Sequence, residues 1–417
     1  MNKIFINKRI NISNIILFLL VLTSSMIVIE IEGKGLFLFL SVVYVLTAIF
    51  YLKRFKMIND KSVYFMFLIY SLSMISCFCS KLPYSYKYAA FRATIIMFLV
   101  FIVIHIVNYH FFVEPKAMNT VKKALKMMCV IQIIWSLCSF AAFKLWGIDI
   151  NQVIFVDILN LVESASQYKG EVLQPSGLSW HSSTLAPILA LSYFLFNRIE
   201  MKLLSIIVAV ICGNATALIG IVLCIFIDVI YTITKKREIN KKLVQALICI
   251  GGVSIIILLF SGYYKDIYDK IIYILHRMSG NSNDSSAYAH IRYYWSYPQV
   301  IDISNPLQTI FGYGKGCSGY PIGELFGQYT HLGNWSVESD IMDILISEGI
   351  FGFISFYCFL LKIVYKGKKV DVRYSFVVIV WILEGVTYNI QFEWFIFIEV
   401  LILLLINNKY NIFDTNK

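Results

Sequence analysis

Charge is what this sequence has least of: Asp, Glu, Lys and Arg make up only 15% of its 417 residues, against about 25% in an ordinary soluble domain. So few ionised side chains argue against a water-soluble globular chain of this length. Cysteine is present but unpatterned. Of the nine, Cys77, Cys79, Cys129, Cys138, Cys212, Cys224, Cys249 and Cys358 fall in or beside apolar stretches, which leaves Cys317 alone in a polar region. Neither a disulfide framework nor metal-ligand spacing is visible. The N-terminal MNKIFINKRINIS lacks a small-residue cleavage site after its apolar run, so it reads as the start of a first helix rather than a removable signal. Internal repeats, the usual mark of transporter halves, are absent as well.

What is there is apolar: 59% of the residues are hydrophobic, and stretches near the roughly 20 residues needed to cross a bilayer recur along the chain. They predict an all-α polytopic membrane protein with about twelve spans, at 10–31, 35–52, 62–80, 89–109, 124–147, 181–197, 201–213, 215–233, 243–262, 340–364, 374–390 and 392–407. Gly213 and Asn214 leave almost no loop between the seventh and eighth, where a broken or re-entrant pair is one reading and where Asn214 and Thr216 would cap helix ends or line a lipid-phosphate site. The net charge of +11 comes from short inter-span clusters such as Lys53, Arg54, Lys56 and Lys61, or Lys362, Lys366, Lys368 and Lys369. Scattered in this way, the basic residues do not form a nucleic-acid surface. With twelve spans every cluster falls on one side, and the positive-inside rule makes that side, with both termini, cytoplasmic.

The whole chain, 1–417, is then one integral membrane domain with two long outer segments, 148–180 and 263–339. In the first, Ile150, Val153, Ile154, Ile158, Leu161 and Val162 have helical spacing and predict a helix lying in the interface. The second combines Arg277, His290, Arg292, Lys315 and His331 with aromatic residues such as Tyr293, Tyr294, Trp295 and Trp335. Guanidinium groups suit phosphate oxygens and flat aromatic faces suit sugar rings, so the mixture points to a lipid-phosphate-linked sugar. An interfacial aromatic belt is the plainer alternative.

The segment VESDIMDILISEGIFG at 337–352 enters an apolar run through four acids. As helix, Asp340 and Asp343 share a face while Glu338 lies about 140° from Asp343, so the four do not make one metal stripe. Helix-start electrostatics account for Asp340, Asp343 and Glu348. Glu338, beside the Arg-bearing loop, is the better proton acceptor. Arg92 lies just inside the outer end of the fourth span and His181 opens the sixth, while Glu384, Glu393 and Glu399 interrupt the last two. Ionisable groups at such depths usually face a bundle interior or a polar cavity.

Three pieces together, LQPSGLSWHSSTLAPILALSYF at 173–194, HIRYYWSYPQVIDISNPLQTIFGYGKG at 290–316 and VESDIMDILISEGIFG, resemble the Wzy-type polysaccharide polymerase and O-antigen ligase superfamily. The resemblance covers roughly 170–400. Glu338 and Ser339 stand where the ligases usually carry His and Asn, which favours the polymerase branch. GNATALIG at 213–220 lacks an Arg that many relatives have, and Arg92 or Arg277 would have to substitute for it.

The resemblance implies a GT-C-like glycosyltransferase of a bacterial inner membrane, with its active site in the large outer loop. Its substrate would be undecaprenyl-diphosphate-linked oligosaccharide repeat units, joined into O-antigen, capsule or exopolysaccharide without cofactor, nucleotide sugar or metal. Its expected partners are membrane lipid and a chain-length regulator protein, with no nucleic acid. Arg292 would clamp the diphosphate and Glu338 would serve as base. Arg277, His290, Lys315, His331, His181 and Arg92 would bind substrate. A ligase, or a transporter of the same lipid-linked sugar, are the competing readings.

Overall fold

The computed structural model describes residues 2–31, 34–51, 56–162, 165–169, 172–179, 181–234, 294, 296–326 and 337–414. Two compact units are distinguished, Met1–Cys224 with Ile303–Lys417 and the segment Ile225–Asp302. The ninth expected span, 243–262, lies outside the described residues, as do Arg277, His290, Arg292 and His331.

The described chain is helical. Its elements begin with α1 (Asn2–Thr23), α2 (Leu36–Tyr51), α3 (Lys61–Phe78), α4 (Tyr84–Val113), α5 (Lys116–Trp146), α6 (Ser182–Leu195), α7 (Ile199–Cys212) and α8 (Ala215–Thr234). They continue with α9 (Pro306–Phe311), α10 (Gly319–Phe326), α11 (Asp340–Ser347), α12 (Gly349–Val370), α13 (Val372–Thr387) and α14 (Glu393–Asn407). Two short antiparallel hairpins complete it, Glu30–Ile31 with Lys34–Gly35 and Gln167–Lys169 with Val172–Gln174. Among the described residues five helices are long and apolar enough to cross a bilayer: α3, α4, α5, α12 and Ala215–Thr232 of α8. Together they make this a helical membrane protein.

Two helices form the centre because their sequences carry no polar stripe. Every residue of α6 is buried, and in α14 the run Trp394–Ile406 is buried without interruption. A helix that is apolar all round has no face to give to water, so it packs inside. α6 is surrounded by α5, α7 and α13, and α14 by α4 and α12. On the peripheral helices large apolar side chains point outward instead, among them Leu46, Leu68, Ile95, Ile134 and Ile354. Lipid contact explains that arrangement where water would not.

One feature differs from the sequence expectation. The run 340–364 is two helices rather than one, broken at Glu348 and Gly349. Within 150–162 the chain forms a helix, in wide π geometry over Gln152–Ile158, which ends before Asn160 adopts φ 48°. Polar anchors hold it: Asn151 accepts from the Trp135 indole at 2.6 Å and donates to the carbonyls of Ala165 and Gly177 at 3.3 and 3.0 Å. The α7–α8 junction is a cap, with the Thr216 amide donating to Asn214 Oδ1 at 2.8 Å.

The basic clusters lie at helix ends and find acids there. Asp60 caps α3 through the Ser62 amide and receives Lys362 and Lys366 from the end of α12. Lys126, in α5, pairs with Asp414 beyond α14. The two lysines at Asp60 hold its carboxyl down at about 2 against the upward push of burial.

Candidate functional site

At the other end of the bundle two polar assemblies meet the expected site residues. The deeper one is built where α9 runs into α10. Asn305 and Gln308 cap α9 reciprocally, each side chain accepting from the other's backbone amide at 2.9 Å. The chain then turns at Gly312 and pairs with the break between α11 and α12. Tyr313 N donates to Ile346 O at 2.9 Å, Gly314 N to Ser347 O at 2.8 Å, and Ser76 Oγ of α3 to Gly312 O at 2.7 Å. These bonds carry Lys315 into the interior, where its Nζ lies 3.5 Å from Asp343 Oδ2 and 3.6 Å from Glu348 Oε1.

Lys315 is therefore not the open substrate-binding cation the sequence led us to expect, because only 8% of it is exposed and two buried acids face it. Burial pulls its ammonium pKa down, but the carboxylates outweigh that pull and hold it above the ordinary lysine range. Asp343 is also bonded by Ser318 Oγ, and the same hydroxyl accepts from the Val337 amide at 2.8 Å. The ion group thus fixes the residue directly before Glu338.

Asp340 plays a parallel part. Its Oδ1 accepts from the amides of Ile390 and Gln391 at 2.8 and 3.0 Å, and Gln391 Nε2 donates to Glu399 Oε1 at 3.0 Å. This ties the start of α11 to the turn between α13 and α14. That turn carries Tyr388.

The shallower assembly forms around Tyr388. Its ring stacks on His181 with centroids 5.4 Å apart, and its hydroxyl reaches His181 Nδ1 at 3.3 Å. The partly exposed Glu338 lies within electrostatic reach of that hydroxyl. Asn214 Nδ2 donates to Ser182 Oγ and Ser183 Oγ at 3.1 and 2.8 Å, and so ties the first turn of α6 to that of α8. Thr216 and Thr387 hydroxyls meet at 3.1 Å and join α8 to α13. The result is a half-buried polar cluster, the mouth, at the N-terminal ends of α6 and α8, where the helix dipoles favour negative charge.

The structure thus sets Tyr388 against His181 with Glu338 within electrostatic reach of the Tyr388 hydroxyl, buries Lys315 against Asp343 and Glu348, and leaves Arg92 exposed on α4, opposite the inward-facing Ala90 and Thr94. Tyr388, Ser182 and Ser183 had not been singled out in the sequence. The signal for Tyr388 was the polar break TYNIQ between two apolar runs. Among the described residues no three His, Cys, Asp or Glu side chains converge as metal ligands.

The sequence matches no protein-family model, and no curated protein matches it significantly.

Proposed function

We propose that this chain is an extracytoplasmic glycosyltransferase that polymerises undecaprenyl-diphosphate-linked oligosaccharide repeat units into a surface polysaccharide. The observation that carries the reading is the mouth itself. A partly exposed carboxylate, Glu338, lies within electrostatic reach of Tyr388, which stacks on His181 at the start of α6. In this reading Glu338 accepts the proton of the acceptor hydroxyl as its oxygen attacks the anomeric carbon of the donor sugar. The bond from that carbon to the lipid diphosphate breaks, and the diphosphate leaves with the electron pair.

A leaving diphosphate needs positive donors around it. The N-terminal dipole ends of α6 and α8 would add partial positive charge, and Arg292, with Arg277, His290 and His331, would supply the donors from the outer loop. The same reading places twelve spans in a bacterial inner membrane with both termini cytoplasmic, a GT-C-like arrangement and a large outer loop over 263–339. A chain-length regulator would act as partner.

Deleting the gene in its host should leave single repeat units on the lipid or the cell surface. Loss of a flippase would instead trap them facing the cytoplasm, and unchanged polymer lengths would sink the polymerase reading. Glu338→Gln should lower polymer formation by about 10²- to 10⁴-fold, the range for a positioned base, while the protein still accumulates in the membrane. Arg292→Lys should act likewise. Normal polymer from either variant removes that residue from the site.

A further inference from the structure

Cys317, which the sequence left alone in a polar region, has a neighbour in the fold. It sits in the turn between α9 and α10, with its amide donating to Gly314 O at 3.0 Å and its sulfur 3.3 Å from the Tyr86 carbonyl of α4. Cys77, in the last turn of α3, comes up against the same turn: a Cβ added to Gly314 would lie 3.3 Å from the Cys77 sulfur and 3.0 Å from its Cβ. The two thiols lie close enough to interact, both are free, and both residues are fully buried. Elsewhere the buried Cys129 and Cys212 point at backbone carbonyls, of Ile188 and Pro175.

The side on which the pair sits gives the contact its meaning. α3 starts at Lys61, in a basic cluster that the positive-inside rule assigns to the cytoplasm. Its 18 residues rise about 27 Å, so Cys77 lies at the opposite, outer end. Outer compartments of bacteria with an oxidising envelope favour disulfides.

We propose that Cys77 and Cys317 are the two halves of a structural disulfide, made at the outer face by exchange with the disulfide of a thiol oxidase. One cysteine thiolate attacks a sulfur of the oxidase disulfide and forms a mixed disulfide, and the other cysteine displaces the oxidase from it. The Cys77–Cys317 bond forms, the two protons pass to the oxidase thiols, and the oxidase leaves reduced. Because both residues are fully buried, exchange precedes closure of the turn over α3. The staple fastens to α3 the segment that bears Lys315 and Ser318, whatever reaction the mouth performs.

Cells expressing the full chain in a host with an oxidising envelope are lysed with N-ethylmaleimide, and the protein is denatured, reduced and labelled with polyethylene-glycol maleimide. Two of the nine cysteines should become reactive only after reduction in wild type, and none in Cys77→Ser or Cys317→Ser. A non-reduced digest of wild type analysed by mass spectrometry should contain the Cys77 peptide joined to the Cys317 peptide, a result that needs no variant to fold. No gain of label on reduction, or a linked pair of other cysteines, overturns the proposal.

Discussion

Replacing Lys315 by Met should be among the most damaging single changes in the protein, costing about 3–5 kcal/mol, the range for stripping one partner from a buried ion pair. The side chain is 10% exposed, and those of the acids it faces, Asp343 and Glu348, are 1% and 2% exposed. Among the described residues neither Glu348 oxygen has a hydrogen-bond partner, so the ammonium at 3.6 Å is its main compensation. Without it two buried carboxyls must either stay charged at high cost or take up protons. The check is thermal unfolding of the purified protein in detergent. Lys315→Met should melt far below wild type, and the triple change Lys315→Met, Asp343→Asn, Glu348→Gln should recover part of the loss. Arg92→Met, on the exposed face of α4, should lie within about 0.5 kcal/mol of wild type. A Lys315→Met protein as stable as Arg92→Met would mean that the ion group does not hold the turn in place.

The fate of Lys315 shows where sequence reading reached its limit. Apolar periodicity is local, and helices were legible from it: described helices overlie every expected span except the ninth, which lies outside the described residues. Long-range pairing is not local. Lys315 reads as a free cation near Arg292, since nothing in its own neighbourhood names Asp343 and Glu348 as its partners. The acids of VESDIMDILISEGIFG were half legible. Their unequal angular positions separated Glu338 from the rest, and the structure does bury Asp340, Asp343 and Glu348 while leaving Glu338 partly exposed. Helix-start electrostatics, however, understate what they do. Asp340 anchors the turn that carries Tyr388, and Asp343 reaches the residue before Glu338 through Ser318. Tyr388 itself could not be read from its surroundings, because it gains its place only when the ends of α6 and α13 meet.

The same scaffold makes Gly312→Ala an expected loss of about 3 kcal/mol or more, the size reserved for changes with a definite steric or backbone cause. Gly312 has φ +83°, and a Cβ there would lie 2.1 Å from Ser347 O and 2.5 Å from Glu348 N. These are backbone atoms of the α11–α12 break, so no side chain can swing aside. The contact is mutual: a Cβ on Gly349, at φ +70°, would lie 2.4 Å from Ile310 O and 2.6 Å from Gly312 N. Either methyl pushes the α9 turn off the break, which strains the Tyr313–Ile346 and Gly314–Ser347 bonds and draws Lys315 away from its acids. Gly316 separates this effect from backbone preference, since it has φ +77° but, among the described residues, nothing within 4 Å of an added Cβ. Gly316→Ala should cost only the left-handed penalty of about 1–2 kcal/mol. Thermal unfolding of the three alanine variants side by side measures the difference. If Gly312→Ala and Gly316→Ala melt together, the close approach of the two backbones is not what holds the turn beneath the mouth.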